Sequence, residues 1–180
     1  QATHDALTGL LNRAEFKAQL GFSIESARQM RENHMLCCVD IDKLKIVNDT
    51  CSHEAGDELI CRVAHFIQGC LRESDVLARL GGDEFVVVMP NVRNESIVRS
   101  MAERLLTRLG EAFTVRDVDH YVSASIGVVM FPEDGDSVET LLKNALRDPI
   151  SGEIGKMIVF SVSQNPAFCI ISSSVAFRAT

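Results

Sequence analysis

The chain has 180 residues, 46% of them hydrophobic and 24% charged, which suits one globular domain and is too short for two. A net charge of −7 argues against a surface built to neutralise nucleic-acid phosphates, so nucleic acid is not an expected partner. No apolar run reaches the length of a membrane span and no signal-peptide pattern opens the chain, so no membrane contact is expected of this domain itself.

In chain order, "NRAEFKAQLGFSIESARQMRE" sets Phe16, Leu20, Ile24 and Ala27 at helical spacing among charges and predicts a helix. "MLCCVDID" has the length of a strand and is apolar enough to be buried on both faces. Leu59, Val63, Phe66, Ile67 and Cys70 then recur at helical steps and predict a second helix from Glu54 to Arg72. "VLARL" and "FVVVM" flank "GGDE", a strand, a tight loop and a strand. "ESIVRSMAERLLTRLGEAF" is a third amphipathic helix. "FTVRDVDHYVSASIGVVMF" reads as one antiparallel pair with Asp117 to His120 near its turn. "SVETLLKNALR" begins a fourth helix, capped by Ser137 and stopped by Pro149 and Gly152, and "KMIVFSV" is a last strand. The six cysteines, at 37, 38, 51, 61, 70 and 169, form no Cys-x-x-Cys pair and are expected to be buried free thiols. Strands alternating with helices around a hairpin predict an α/β (α+β) fold, a mixed sheet covered by helices.

The acids carry the chemistry. Strand alternation puts Asp40 and Asp42 on one face and Ile41 on the other. A carboxylate ending an apolar strand is costly unless it is paired or holds a metal. Asp83 and Glu84 stand at a hairpin tip behind Gly81 and Gly82, which lack a Cβ and let backbone approach a ligand. If that hairpin lies beside "VDID", the carboxylates converge at one sheet edge, as Mg²⁺ bound together with substrate phosphates requires. On spacing alone, solvated strand ends account for the same acids.

Four longer strings, "DALTGLLNR", "VDIDKLKIVNDTCSHEAGDEL", "RESDVLARLGGDEF" and "VSASIGVVMFPEDG", stand in the order and spacing of the GGDEF family, whose active members are diguanylate cyclases. The resemblance runs from Asp5 to about Leu146. It implies a largely antiparallel, palm-like sheet like that of nucleotidyl cyclases, and the condensation of two GTP into cyclic di-GMP with release of two pyrophosphates. It further implies Mg²⁺ (or Mn²⁺) held by Asp40, the Ile41 carbonyl, Asp83 and Glu84, with Asp83 also assisting deprotonation of the attacking 3′-hydroxyl. By the same resemblance Asn48 and Asp57 read the guanine edge, and Lys45 with the backbone of Lys43 and Leu44 holds the β- and γ-phosphates, Gly81 and Gly82 making room for the nucleotide. A carboxylate suits guanine, because it accepts from N1–H and the N2 amine together. Arg72 and Asp75, in "RESD", match the family's RxxD product-inhibition site for cyclic di-GMP; a surface ion pair between the two is the competing reading.

The chain departs from the family at several points. Leu44 stands where Phe is common, and Ser52 replaces a Gly, at a cost in strain if that position needs a positive φ. Active relatives extend the fourth helix with a phosphate-binding Lys and Arg, where this chain reads "NALRDPISGEIGKM"; Arg147 and Lys156 are off register. The expected organisation is a GGDEF domain over residues 1–162 and an unassigned tail over 163–180. Because the chain opens at Gln1, it is expected to be part of a longer multidomain signalling protein, cytoplasmic or the cytoplasmic part of a membrane-bound sensor. Since one such domain holds one GTP, the resemblance implies catalysis by a homodimer. The alternative function is a weak or inactive module that binds GTP or cyclic di-GMP and regulates an attached domain such as a phosphodiesterase.

Overall fold

Strand β1, His34–Asp42, lies between two partners, and its alternating side chains serve two separate cores. The structure, a computed structural model, describes residues 2–42, 44–111, 113–146 and 158–161. The elements besides β1 are α1 (Arg13–Met30), α2 (Leu44–Thr50), α3 (His53–Cys70), β2 (Val76–Gly81), β3 (Glu84–Met89), α4 (Glu95–Leu109), β4 (Phe113–Val115), β5 (Val118–His120), β6 (Ser123–Phe131), α5 (Val138–Ala145) and β7 (Ile158–Ser161). The central sheet has the order β2-β3-β1-β6-β7, and its pairings are antiparallel.

Met35, Cys37, Val39 and Ile41 of β1 pack with Phe85, Val87 and Ile126 against α3 and α4. Leu36 and Cys38 pack with Val86, Val88 and Phe131 against Phe16, Leu20 and Ile24 of α1 and Leu141 of α5. The second face changes character at its end, where the alternation that buries Leu36 and Cys38 delivers Asp40, which is exposed. Its neighbour Ile41 stays fully buried, so register cannot slip by one without driving an acid into the α3 core.

The predicted helices form, each with a capping residue: Asn12 for α1, Asn94 for α4 and Ser137 for α5 accept from backbone N–H groups one turn on. Ser52 escapes the strain that a positive φ would bring. Its φ is −177°, and its hydroxyl accepts from the Ala55 N–H at 3.1 Å, so it caps α3 and carries no strain.

Two further expectations are corrected. The "FTVRDVDHY…" segment is not a single pair: β4 and β5 form their own small hairpin turning at Arg116 and Asp117, while β6 leaves it to join the central sheet beside β1. "LKIVNDT" forms α2, a helix with Val47 as its buried residue, where sequence periodicity showed none. Of the cysteines, Cys37 and Cys38 are buried, but Cys51 is exposed and Cys61 and Cys70 are half-buried. Burial pushes the Cys37 thiol up to about 12, so it is inert at neutral pH. Among the described residues no helix is long and apolar enough to cross a membrane. Lys43, Arg147, Pro149, Gly152, Lys156, Cys169 and the tail lie outside the described residues.

Candidate active site

The hairpin tip lies beside "VDID". Asp40 and Glu84 are direct partners in the β1–β3 pairing, and the Ile41 N–H donates to the Asp83 carbonyl at 3.1 Å, tying the tip to β1. Directly opposed residues of an antiparallel pair hold their Cβ atoms about 4.5–5.5 Å apart, and like charges in that position repel. Asp42 is registered with Ser123 of β6, whose hydroxyl donates to Asp42 Oδ2 at 3.0 Å. The Asp40 carboxyl is pushed up to about 6, first by partial burial at the end of an apolar strand and then by the charges of Asp83, Asp42 and Glu84. Among the described residues Arg13 Nη2 stands 3.5 Å from Glu84 Oε2, a weak pair because both side chains are open to solvent.

These donors fit a hard divalent cation. The charges of Asp83, Asp42 and Glu84 all bear on Asp40 at one edge, and carboxylate oxygen is what Mg²⁺ prefers. Among the described residues no three His, Cys, Asp or Glu side chains already form a metal cage. An open site of that kind suits Mg²⁺, which keeps waters and takes phosphate oxygens rather than an all-protein shell.

The turn is built for glycine. Gly81 and Gly82 have φ of 139° and 52°, and Gly82 with Asp83 forms the two-residue link between Gly81 and Glu84. A Cβ at either glycine would meet open space, so backbone conformation and not crowding demands them. Phe85 follows at once and is fully buried, anchoring the tip by about 2–3 kcal/mol of side-chain burial.

Sequence reading overlooked the group that holds this tip from behind. Arg79 donates through Nε and Nη2 to the Gly82 carbonyl at 3.0 and 2.7 Å, and through Nη1 to both Asp5 oxygens at 3.0 and 3.2 Å. Asp5 in turn accepts from the Thr8 hydroxyl and amide at 2.7 and 2.9 Å. Burial pushes the Asp5 carboxyl upward, but the Thr8 bonds and Arg79 outweigh it and leave it below the usual carboxylate range. A detectable signal existed: an arginine inside the otherwise apolar strand "VLARL" needs a partner.

The other predicted residues fall in two groups. Asn48, on α2, and Asp57, on α3, are brought together, since the Asn48 carboxamide lies against Gly56, next to Asp57. Asn48 is half-buried and Asp57 exposed; Lys45 is exposed in the first turn of α2, and Leu44 packs against the core. Arg72 and Asp75 lie at the other end of β2 from the glycines. The Asp75 carboxylate accepts from the Arg72 backbone N–H at 2.8 Å, and the two side chains form no ion pair. Arg72 and Asp75 both line two clefts of about 370 and 390 Å³.

Comparison with known proteins places this geometry in context. Residues 2–148 match the family model described as "Diguanylate cyclase, GGDEF domain". The chain is 37% identical over 145 residues to the probable diguanylate cyclase DgcE of Escherichia coli, covering 80% of this chain and 13% of that protein. It is 35% identical over 144 residues to the cyclic di-GMP phosphodiesterase NbdA of Pseudomonas aeruginosa, covering 80% of this chain and 18% of that protein. Among solved structures, the GGDEF domain of DgcB from Caulobacter crescentus, in complex with c-di-GMP, superposes with a TM-score of 0.74 at 29% identity, covering 81% of this chain and 86% of that one. The chain thus spans a small part of the full-length relatives it matches.

Proposed function

Because the chain belongs to the GGDEF, diguanylate cyclase, family, we propose that it condenses two GTP molecules into cyclic di-GMP and two pyrophosphates. The observation that carries this reading is the direct opposition of Asp40 and Glu84 across β1 and β3, with Asp83 at the tip beside them. In each of two steps the 3′-hydroxyl of one GTP attacks the α-phosphorus of the other, a P–O bond forms, pyrophosphate leaves, and the hydroxyl proton must be taken up. Asp83, half-buried at the tip, assists that proton's departure. Asp40, Glu84 and the Ile41 carbonyl would hold Mg²⁺ or Mn²⁺, which when bound neutralises charge on the phosphates and lowers the pKa of a coordinated hydroxyl. Lys45, with the backbone of Lys43 and Leu44, holds the β- and γ-phosphates, while Asn48 and Asp57 select guanine. A single domain presents one such site, so the two substrates meet across a homodimer.

Arg72 and Asp75 are assigned to cyclic di-GMP. With Asp75 committed to the backbone of Arg72, the planar donor fork is free to take a guanine edge or a phosphate.

The test is direct. The chain is incubated at high concentration with GTP and Mg²⁺ and the products are separated chromatographically; cyclic di-GMP is expected, and Asp83→Ala should abolish it. GTP binding without turnover, even when dimerisation is forced, would instead favour a regulatory module. That second reading draws support from the cyclic di-GMP phosphodiesterases among the relatives.

A further inference from the structure

We propose that Gly56 is a positioning residue for nucleobase selection: lacking a Cβ, it lets the Asn48 carboxamide lie against α3 beside Asp57. This deepens the reading of Asn48 and Asp57 as guanine-selecting residues and rests on it.

Gly56 lies in the interior of α3, its N–H donating to the Ser52 carbonyl at 3.1 Å. Glycine weakens such a position relative to alanine. Its φ is not among the positive values that Gly9, Gly81 and Gly82 adopt, so backbone conformation does not call for it. Space does. The three atoms nearest to a Cβ built on Gly56 all belong to the Asn48 carboxamide: Oδ1 would be overlapped, Cγ would stand at 2.9 Å and Nδ2 at 3.4 Å.

Outside the backbone of α3 itself, the nearest atoms all belong to that one side chain, so the room left by the missing Cβ is the room Asn48 occupies. The Asn48 carboxamide makes no hydrogen bond among the described residues, which leaves its donor and acceptor edges for a ligand. Asp57, the next residue of α3, is exposed alongside. A methyl at position 56 would strike the far end of a flexible side chain. Asn48 would therefore rotate aside and the fold would survive, but the amide would leave the position from which it meets the base.

The test measures calorimetric affinities of the α,β-methylene analogues of GTP and ATP, with Mg²⁺, for the whole chain and for Gly56→Ala, Asn48→Ala and the double variant. Gly56→Ala should lower the guanine-over-adenine ratio about tenfold, the worth of one hydrogen bond at the strong end of the range. Asn48→Ala should do the same, and the double variant should lose no more than either single one. In thermal unfolding, Gly56→Ala should raise Tm more in the Asn48→Ala background than in the wild type, because the helix gain is then unopposed. A Gly56→Ala variant that keeps a clear wild-type preference, or that lowers it further in the Asn48→Ala background, overturns the role of Gly56 and leaves guanine selection standing. A wild type that does not prefer guanine overturns the underlying reading, and the role of Gly56 with it. Should Gly56→Ala fail to fold, a folded double variant supports the steric coupling and an unfolded one overturns it.

Discussion

Arg79 grips Asp5, a residue 74 positions earlier in the chain, with both carboxylate oxygens within 3.2 Å of its Nη1, while its other two nitrogens hold the Gly82 carbonyl at the acidic turn. One guanidinium thus fastens the start of the domain to the tip that presents Asp83. Its side chain is 12% exposed and that of Asp5 21%, against 53% and 36% for Arg13 and Glu84, so the first pair carries weight that the second does not. Arg79→Ala is expected to destabilise the protein by about 2 kcal/mol, a fall in Tm of roughly 4–8 °C. Arg79→Lys should recover little, since an ammonium cannot serve a carbonyl and a carboxylate as one planar fork does. Thermal denaturation of Arg79→Ala, Asp5→Ala and the double variant checks this, and strictly additive losses would show that the pair is not coupled.

Asp40 makes stability depend on pH in a definite direction. Its folded value is about 6 against an ordinary 3.8, so between those values the folded chain holds more protons than the unfolded one. The contribution is fully present below the lower value and is lost as pH rises through the upper one. Without divalent cations, Asp40→Asn should therefore raise Tm at pH 7.5 and leave it unchanged below about pH 4. Solvent screening at so open a site keeps the gain below about 1 kcal/mol. Millimolar Mg²⁺ should stabilise the wild type more than the variant. A scanning-calorimetry series over pH, with and without Mg²⁺, reads both effects.

Arg72→Ala should weaken cyclic di-GMP binding by at least about tenfold while leaving the affinity for a GTP analogue intact, because the two sites lie at opposite ends of β2. Arg72→Lys should lose most of the same affinity, as it keeps charge but not the fork. Isothermal titration with each ligand in turn separates the two sites; equal losses for both would show that Arg72 supports the fold and not a product site.

Much of the fold is legible from local pattern. The periodicity of Phe16, Leu20, Ile24 and Ala27 predicts α1 because those side chains share one helix face, and these four residues are buried. The apolar runs on either side of Gly81–Glu84 predict β2 and β3 for the same kind of reason. Pattern fails where elements are too short to repeat. Helix α2, seven residues with Val47 as its buried anchor, has no period to detect, and the three-residue strands β4 and β5 merge by eye with β6. Whether Ser52 is strained is not legible from its motif, because that depends on a φ which the fold sets in the extended region, where its hydroxyl serves as a cap.

Within the site, local pattern is enough to show that Asp40 and Asp42 leave β1 on the same side, since alternation is a property of one strand. The folded turn adds that Gly81 and Gly82 take positive φ, a conformation glycine adopts freely. Packing in three dimensions sets Glu84 opposite Asp40, brings Ser123 of β6 to Asp42, lets Arg79 reach Asp5, and gives the space at Gly56 to Asn48. Those are contacts between residues far apart in the chain or on different helices. Strand order and helix docking set them, and both follow from how the two faces of β1 are buried at once, a global condition that no local window contains.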